Sequence, residues 1–310
     1  MAEQMLEDRY DFNGHTLAVR SNSDGVLQHL RWVYGRFLAP AAAAEAEASC
    51  VLTVLDRINN AGELRLAGGF RDCTLYCKEL QSFDFDRYDL QGTLRDPLEF
   101  VQWYVIETIA RRLALDCQMI HAASLAWGDD GVIFPAASGR GKTTLALRLA
   151  TRGFRFLSDE LAWLNSRSDW VEPFPRRVNV SDHSLQLLGL PPMTEGQPIS
   201  SEGGTREWAL DPADVAPDVE IGPARLRYVV FLNGFGEVPR LRPLSSTAGI
   251  MRLFKFSIPP PSDPGATIFN FAPLLDGARC FELVVGDVNA TADLVQTLVC
   301  DGEGKGAASV

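Results

Sequence analysis

Apolar and polar positions divide the chain into short strand-like runs and a few segments with helical spacing. In residues 1 to 95, Thr16–Val19, Cys50–Leu55 and Cys73–Cys77 are β-branched or apolar enough to predict strands. Leu27, Leu30, Val33, Tyr34 and Phe37 recur at helical intervals and predict an amphipathic helix over 26–37. The alanine-rich run 41–48 after Pro40 is compatible with a helical turn or a flexible connector. Asp96 and Pro97 then cap and open a longer helix over 98–115, with Arg111 and Arg112 at its negative end. Met119–Trp127 and Gly131–Phe134 predict a hairpin across Gly128–Gly131. A helix starting at Thr143 is expected to stop near Arg152-Gly153, and Phe154–Leu157 to form a strand. Residues 191–224, rich in Pro, Gly, Ser and acids, predict a surface excursion or lid. Strands return at Arg227–Leu232 and Cys280–Val285, followed by a helix over 289–299. The expected fold class is therefore α/β (α+β overall). A small α+β domain over 1–95 precedes an α/β domain over 96–300, and 301–310 is expected to be a disordered tail.

Between the second hairpin strand and the helix lies Ala136-Ala137-Ser138-Gly139-Arg140-Gly141-Lys142-Thr143-Thr144. This is a phosphate-binding loop of the form A/G-x-x-x-x-G-K-S/T, with Ala136 where Gly is commoner. Small residues let successive backbone N–H groups converge on phosphate oxygens, and the helix adds its positive end to the same place. Lys142 is then placed for the terminal phosphates of ATP, and the Thr143 hydroxyl for an accompanying Mg2+. Arg140 occupies a loop position that tolerates many side chains, solvent-facing ones included.

A phosphate loop alone does not separate a kinase from a switch or a motor. The discriminating feature is Asp159-Glu160, at the end of a strand seventeen residues after Lys142. That interval holds one helix, one Gly stop and one strand, so the acids return beside the phosphates. A carboxylate there can hold magnesium or accept the proton of an attacking hydroxyl, and it can also merely cap the next turn. An ABC-type ATPase would carry its acidic strand far later, after an LSGGQ-like segment that is absent here.

Composition narrows the partners. A formal charge of −11 with no basic stretch argues against nucleic acid. Lysine occurs only at 78, 142, 255 and 305, so finding one in the loop adds weight to that motif. Six cysteines without a C-x-x-C pair predict thiols of a reducing cytoplasm more readily than a zinc site. No signal peptide and no run of membrane-spanning length is seen, so a cytoplasmic protein without membrane contact is expected.

With His121 on the strand before the loop, Gly-Arg-Gly-Lys-Thr-Thr-Leu, Arg152-Gly153 and Leu-Ser-Asp159-Glu160, residues 118–180 resemble the HPr kinase/phosphorylase catalytic domain. They are more similar still to the HPr-kinase-related proteins of peptide-modification gene clusters. Thr144 stands where HPr kinase proper has an acid, and Asp-Glu replaces its usual Asp-Asp. The resemblance implies a phosphate-loop catalytic domain with a mixed sheet, and ATP-dependent, Mg2+-assisted phosphoryl transfer to a serine or threonine hydroxyl of a peptide or protein acceptor. It implies Asp159 as general base, Glu160 as a magnesium ligand, and His121 close to Asp159, orienting it or the acceptor; a packed structural histidine is the equal alternative. Val171–Val180 falls where that family completes its active site, which would make Glu172 a second metal ligand and Arg176 or Arg177 a neutraliser of phosphoryl charge. Its Pro-rich composition reads more simply as a solvated loop with two surface arginines. The resemblance is also compatible with a homo-oligomer. Two other functions stay open: a non-catalytic nucleotide-binding module of a peptide-modification system, and a small-metabolite kinase.

Overall fold

The computed structural model describes residues 5–40, 48–56, 72–77, 83–84, 91–92, 97–110, 117–165, 169–193, 206–216, 221–258 and 264–303. The alanine-rich run 41–47, the Asp96 cap, Arg111 and Arg112, most of 194–220 and the tail 304–310 lie outside these residues. The chain divides into two compact units, Met1–Leu115 and Asp116–Val310.

In the first unit, β1 (Leu6–Phe12) and β2 (His15–Ser21) form a hairpin whose turn is Asn13-Gly14. Both turn residues have positive φ, 52° and 87°, the conformation that makes Asn-Gly a hairpin signal. Helix α1 (Asp24–Tyr34) crosses over to β3 (Cys50–Asp56), which pairs parallel with β2 and with β4 (Asp72–Cys77). The helical spacing of Leu27, Leu30, Val33 and Tyr34 buries that face of α1, and Phe37 is buried in the turn beyond it. Tyr10, Phe12, Tyr34 and Phe37 pack as one aromatic group. The short pair β5 (Phe83–Asp84) and β6 (Gln91–Gly92) precedes helix α2 (Pro97–Thr108), which belongs to this unit.

The second unit is built on a mixed sheet. Strands β7 (Cys117–Trp127) and β8 (Asp130–Pro135) form the expected hairpin, tightened to a two-residue Gly128-Asp129 turn. Helix α3 (Lys142–Ala150) follows, then β9 (Arg155–Ser158), β10 (Leu161–Asn165), β11 (Trp170–Glu172) and β12 (Val178–Ser181). After α4 (Asp182–Leu188), β13 (Glu207–Leu210) and the single turn α5 (Pro212–Val215) comes the long β14 (Ala224–Phe235). The unit ends with β15 (Arg240–Leu244), α6 (Ser246–Leu253), β16 (Ser257–Ile258), α7 (Pro264–Asp276), β17 (Arg279–Val285) and α8 (Val288–Glu303). The strand order is β11-β10-β7-β8-β14-β17-β15, with β9 and β16 also pairing β7. Strands β8, β14 and β17 run parallel, and the other pairings are antiparallel.

The run Tyr228-Val-Val-Phe-Leu232 is apolar without alternation because both faces of β14 are covered. Tyr228, Val230 and Leu232 pack in one core with residues of α3 and α8. Val229 and Phe231 pack in the other with residues of α6 and α7. Gly131 is required where β8 meets β14, since a Cβ there would come 2.8 Å from the Arg225 carbonyl oxygen. The segment 191–224 is more than a surface excursion. β13 within it pairs with β12, and its Trp208 and Leu210 are buried in the α3–α8 core. Asp301–Glu303, expected in a disordered tail, continue α8.

Candidate functional site

The site grows from the β8–α3 connection. Ala136 is buried, while Ala137, Ser138, Gly139 and Arg140 are exposed. Gly139 and Gly141 have φ of 72° and 86°, a left-handed backbone that side chains strain against. Ala136 is not among the positive-φ residues, which is why the loop accepts Ala at its first position. Gly141 caps α3, whose first turn starts with Leu145 N–H donating to the Gly141 carbonyl at 3.0 Å. The earlier N–H groups of the turn have no acceptor within the helix and face the loop opening as donors.

Lys142 is folded back over this loop. Its ammonium donates to the carbonyls of Ala136 at 2.9 Å and Ala137 at 3.2 Å, and lies 2.9 Å from His121 Nε2. Burial lowers its pKa to about 8, against a raising influence from Asp159. His121 is held at about 4, first by burial and then by the positive charges of Lys142 and Arg176. The imidazole is therefore neutral near neutral pH, and Nε2 accepts from the ammonium. His121, which the resemblance puts close to Asp159, hydrogen-bonds Lys142, and Lys142 in turn interacts with the Asp159 charge. The sign of its pH effect follows directly. Folded His121 stays unprotonated between about 4 and 6.5 while the unfolded chain binds the proton, so stability falls as pH drops through that window. His121→Gln is expected to flatten this part of a stability-versus-pH curve measured by urea unfolding.

The acids arrive from the β9–β10 connection. Ser158 Oγ accepts from the backbone N–H of Glu160 and Leu161, at 3.3 and 3.1 Å, and shapes a tight turn around Asp159-Glu160. Ala122 N–H donates to the Glu160 carbonyl at 3.0 Å and Leu161 pairs with His121, which fixes this turn against β7. Thr143 Oγ1 donates to Asp159 Oδ2 at 3.1 Å, joining loop and acid directly. Asp159 is 4% exposed, and its other oxygen, Oδ1, has no hydrogen-bond partner among the described residues. Burial raises the Asp159 pKa, opposed by the Arg176 charge, the Thr143 hydroxyl and Lys142.

Arg176 corrects the reading of 171–180 as a solvated loop. It is 4% exposed and forms an ion pair with the Glu160 carboxylate. Phe174 N–H donates to the Leu157 carbonyl at 2.8 Å and Phe174 is fully buried, so the Pro-Phe-Pro segment is docked against the end of β9. The sequence feature that could have pointed inward is Phe174 itself, a large aromatic between two prolines. Glu172 lies on β11 opposite Trp163, with burial raising its pKa. Among the described residues nothing hydrogen-bonds or ion-pairs it to the cluster. Thr144 instead donates to Ser184 Oγ at 2.8 Å and ties α3 to α4.

The structure thus brings together Lys142, Thr143, His121, Asp159, Glu160 and Arg176 at the carboxyl ends of β8 and β9, beside the middle of β7. No family model and no curated protein matches the chain. Among solved structures, the HPr(Ser) kinase/phosphatase from Coxiella burnetii aligns over 61% of this chain and 97% of its own, at 16% identity and a TM-score of 0.32. No helix among the described residues is long and apolar enough to cross a membrane.

Proposed function

We propose that the second unit is an HPr-kinase-like catalytic domain that binds ATP and transfers its γ-phosphoryl group to a serine or threonine hydroxyl of a peptide or protein. The observation that carries this is the Thr143–Asp159 hydrogen bond, which sets a buried carboxylate with one unpartnered oxygen against the phosphate loop. Loop N–H groups and Lys142 hold the phosphates; Lys142 exchanges its loop carbonyls for phosphate oxygens. Asp159 takes the acceptor's hydroxyl proton as its oxygen bonds to the γ-phosphorus, and the bond to the β-phosphate oxygen breaks with its electron pair left on ADP. A raised pKa makes Asp159 a stronger base than an ordinary carboxylate. Arg176, buried beside it, offsets negative charge on the reacting groups.

The Thr143 hydroxyl, at the loop beside Asp159, fits Mg2+ as a hard oxygen donor, while Asp159 Oδ1 stays free for the acceptor's proton. Among the described residues no group of three or more His, Cys, Asp or Glu is arranged for a metal. When bound, Mg2+ neutralises charge on the phosphate oxygens. Glu160 would have to leave Arg176 to join it. The first unit is our candidate for recognising the acceptor.

Two tests arise. Acceptor-dependent transfer of label from γ-labelled ATP separates this reading from a binding-only module, and a peptide acceptor separates it from a small-metabolite kinase. Arg176→Met is expected to cost no more than about 1 kcal/mol of stability through Glu160, whose partly exposed carboxylate takes water in place of its partner. It also removes the charge that holds the Asp159 pKa down, so the acid limb of the transfer rate moves to higher pH. An unmoved limb would show that Arg176 is structural only.

A further inference from the structure

The loop strand β8 has two flanks. Toward β7 stand His121, Asp159, Glu160 and Arg176; toward β14 the sheet continues with strands parallel to β8. In parallel arrangements of this kind, ligands occupy the crevice outside the carboxyl ends of the strands. The residue at the carboxyl end of β14 is Phe235, and its side chain is 62% exposed. It is not a stray surface aromatic. A methyl group built on Gly141 would lie 3.6 and 3.7 Å from its Cε1 and Cζ, so the ring is seated against the phosphate loop itself. Gly234, at φ 88°, brings the turn close to the loop as well: a methyl group there would lie 3.4 Å from Arg140 Nη1. Gly236 N–H donates to the Val285 carbonyl at 2.8 Å and anchors the backbone just after the ring.

Resting on the nucleotide-binding reading above, we propose that Phe235 is the platform on which the base of the bound nucleotide stacks. With the phosphates on the loop and the γ-phosphate directed to Asp159 on the β7 flank, ribose and base extend to the β14 flank, where Phe235 offers its apolar surface. Water leaves both surfaces when the base covers the ring, which gives an exposed aromatic beside a polar loop its reason. An aromatic face stacks any base, so the platform favours nucleotides over bare polyphosphate without strongly choosing adenine over guanine.

Calorimetric titration in Mg2+ with ATP, GTP and inorganic tripolyphosphate tests this. Phe235→Ala is expected to weaken ATP and GTP alike by roughly tenfold or more, while tripolyphosphate binds as to the wild type. Unchanged tripolyphosphate binding also shows that the variant's loop is intact. Phe235→Trp is expected to restore nucleotide affinity. Equal ATP affinity in the wild type and Phe235→Ala overturns the platform and leaves the phosphate loop standing. Parallel loss of ATP and tripolyphosphate in Phe235→Ala also overturns it, because the ring would then be supporting the loop and not the base. A wild type that binds neither ligand overturns the nucleotide-binding reading and the platform with it.

Discussion

Asp159→Asn is expected to lower phosphoryl transfer by about 10²–10⁴-fold, the usual worth of a positioned general base, while ATP still binds. The amide keeps the shape of the side chain and can still accept from Thr143 through its oxygen. It cannot take a proton. Because Asp159 is buried and its charged form is disfavoured there, the neutral variant is also expected to be at least as stable as the wild type. A large loss of transfer with no loss of stability would separate chemistry from folding, as read by initial rates and urea unfolding. Transfer at the wild-type rate would remove Asp159 from the mechanism.

Lys142→Met should have its largest effect on binding. In the proposed complex the ammonium would make charge-assisted hydrogen bonds to phosphate oxygens, and losing it is expected to weaken ATP by about 10²-fold. Without nucleotide the variant should be close to the wild type in stability. Burial has already lowered the Lys142 pKa to about 8, so relief from that desolvation offsets the lost bonds to Ala136 and Ala137. The contrast is sharpest in thermal shifts. ATP at about 100 times its dissociation constant stabilises the wild type by about 2.7 kcal/mol, and a 10²-fold weaker site at the same ATP keeps only a few tenths. An ATP-induced rise in melting temperature that persists in Lys142→Met would place the nucleotide elsewhere.

The meeting of the loop with the strand-end acids was legible because the sequence interval is short. Seventeen residues between Lys142 and Asp159 leave room for only one helix and one return strand, which sets Asp159 against Thr143. The apolar strands of the second unit were legible for another reason: covered on both faces, Tyr228–Leu232 carries no polar interruption. Arg176 was a candidate only through the family resemblance, and its burial was not legible, since Pro-Phe-Pro-Arg-Arg has the composition of a surface loop that docking against Leu157 buries. β10 was hidden by the tightness of the Ser158–Leu161 turn, which leaves no loop signal between two strands. Helix α7 carries Pro273 in its interior, which reads as a break. The bond between His121 and Lys142 depends on which way a buried ammonium folds. Phe235 was invisible for the opposite reason, because its Asn-Gly-Phe-Gly setting reads as an ordinary turn and only the parallel pairing of β14 with β8 brings it to the loop.

The most direct test is the fate of the γ-phosphoryl group. Wild-type protein and Asp159→Asn, both shown to bind Mg-ATP, are incubated with γ-labelled ATP and a library of serine- and threonine-containing peptides. Label on a peptide hydroxyl with the wild type, and its loss with Asp159→Asn, is the predicted result. Stoichiometric ATP binding with the label still on ATP across the whole library, or equal labelling by both proteins, would contradict it.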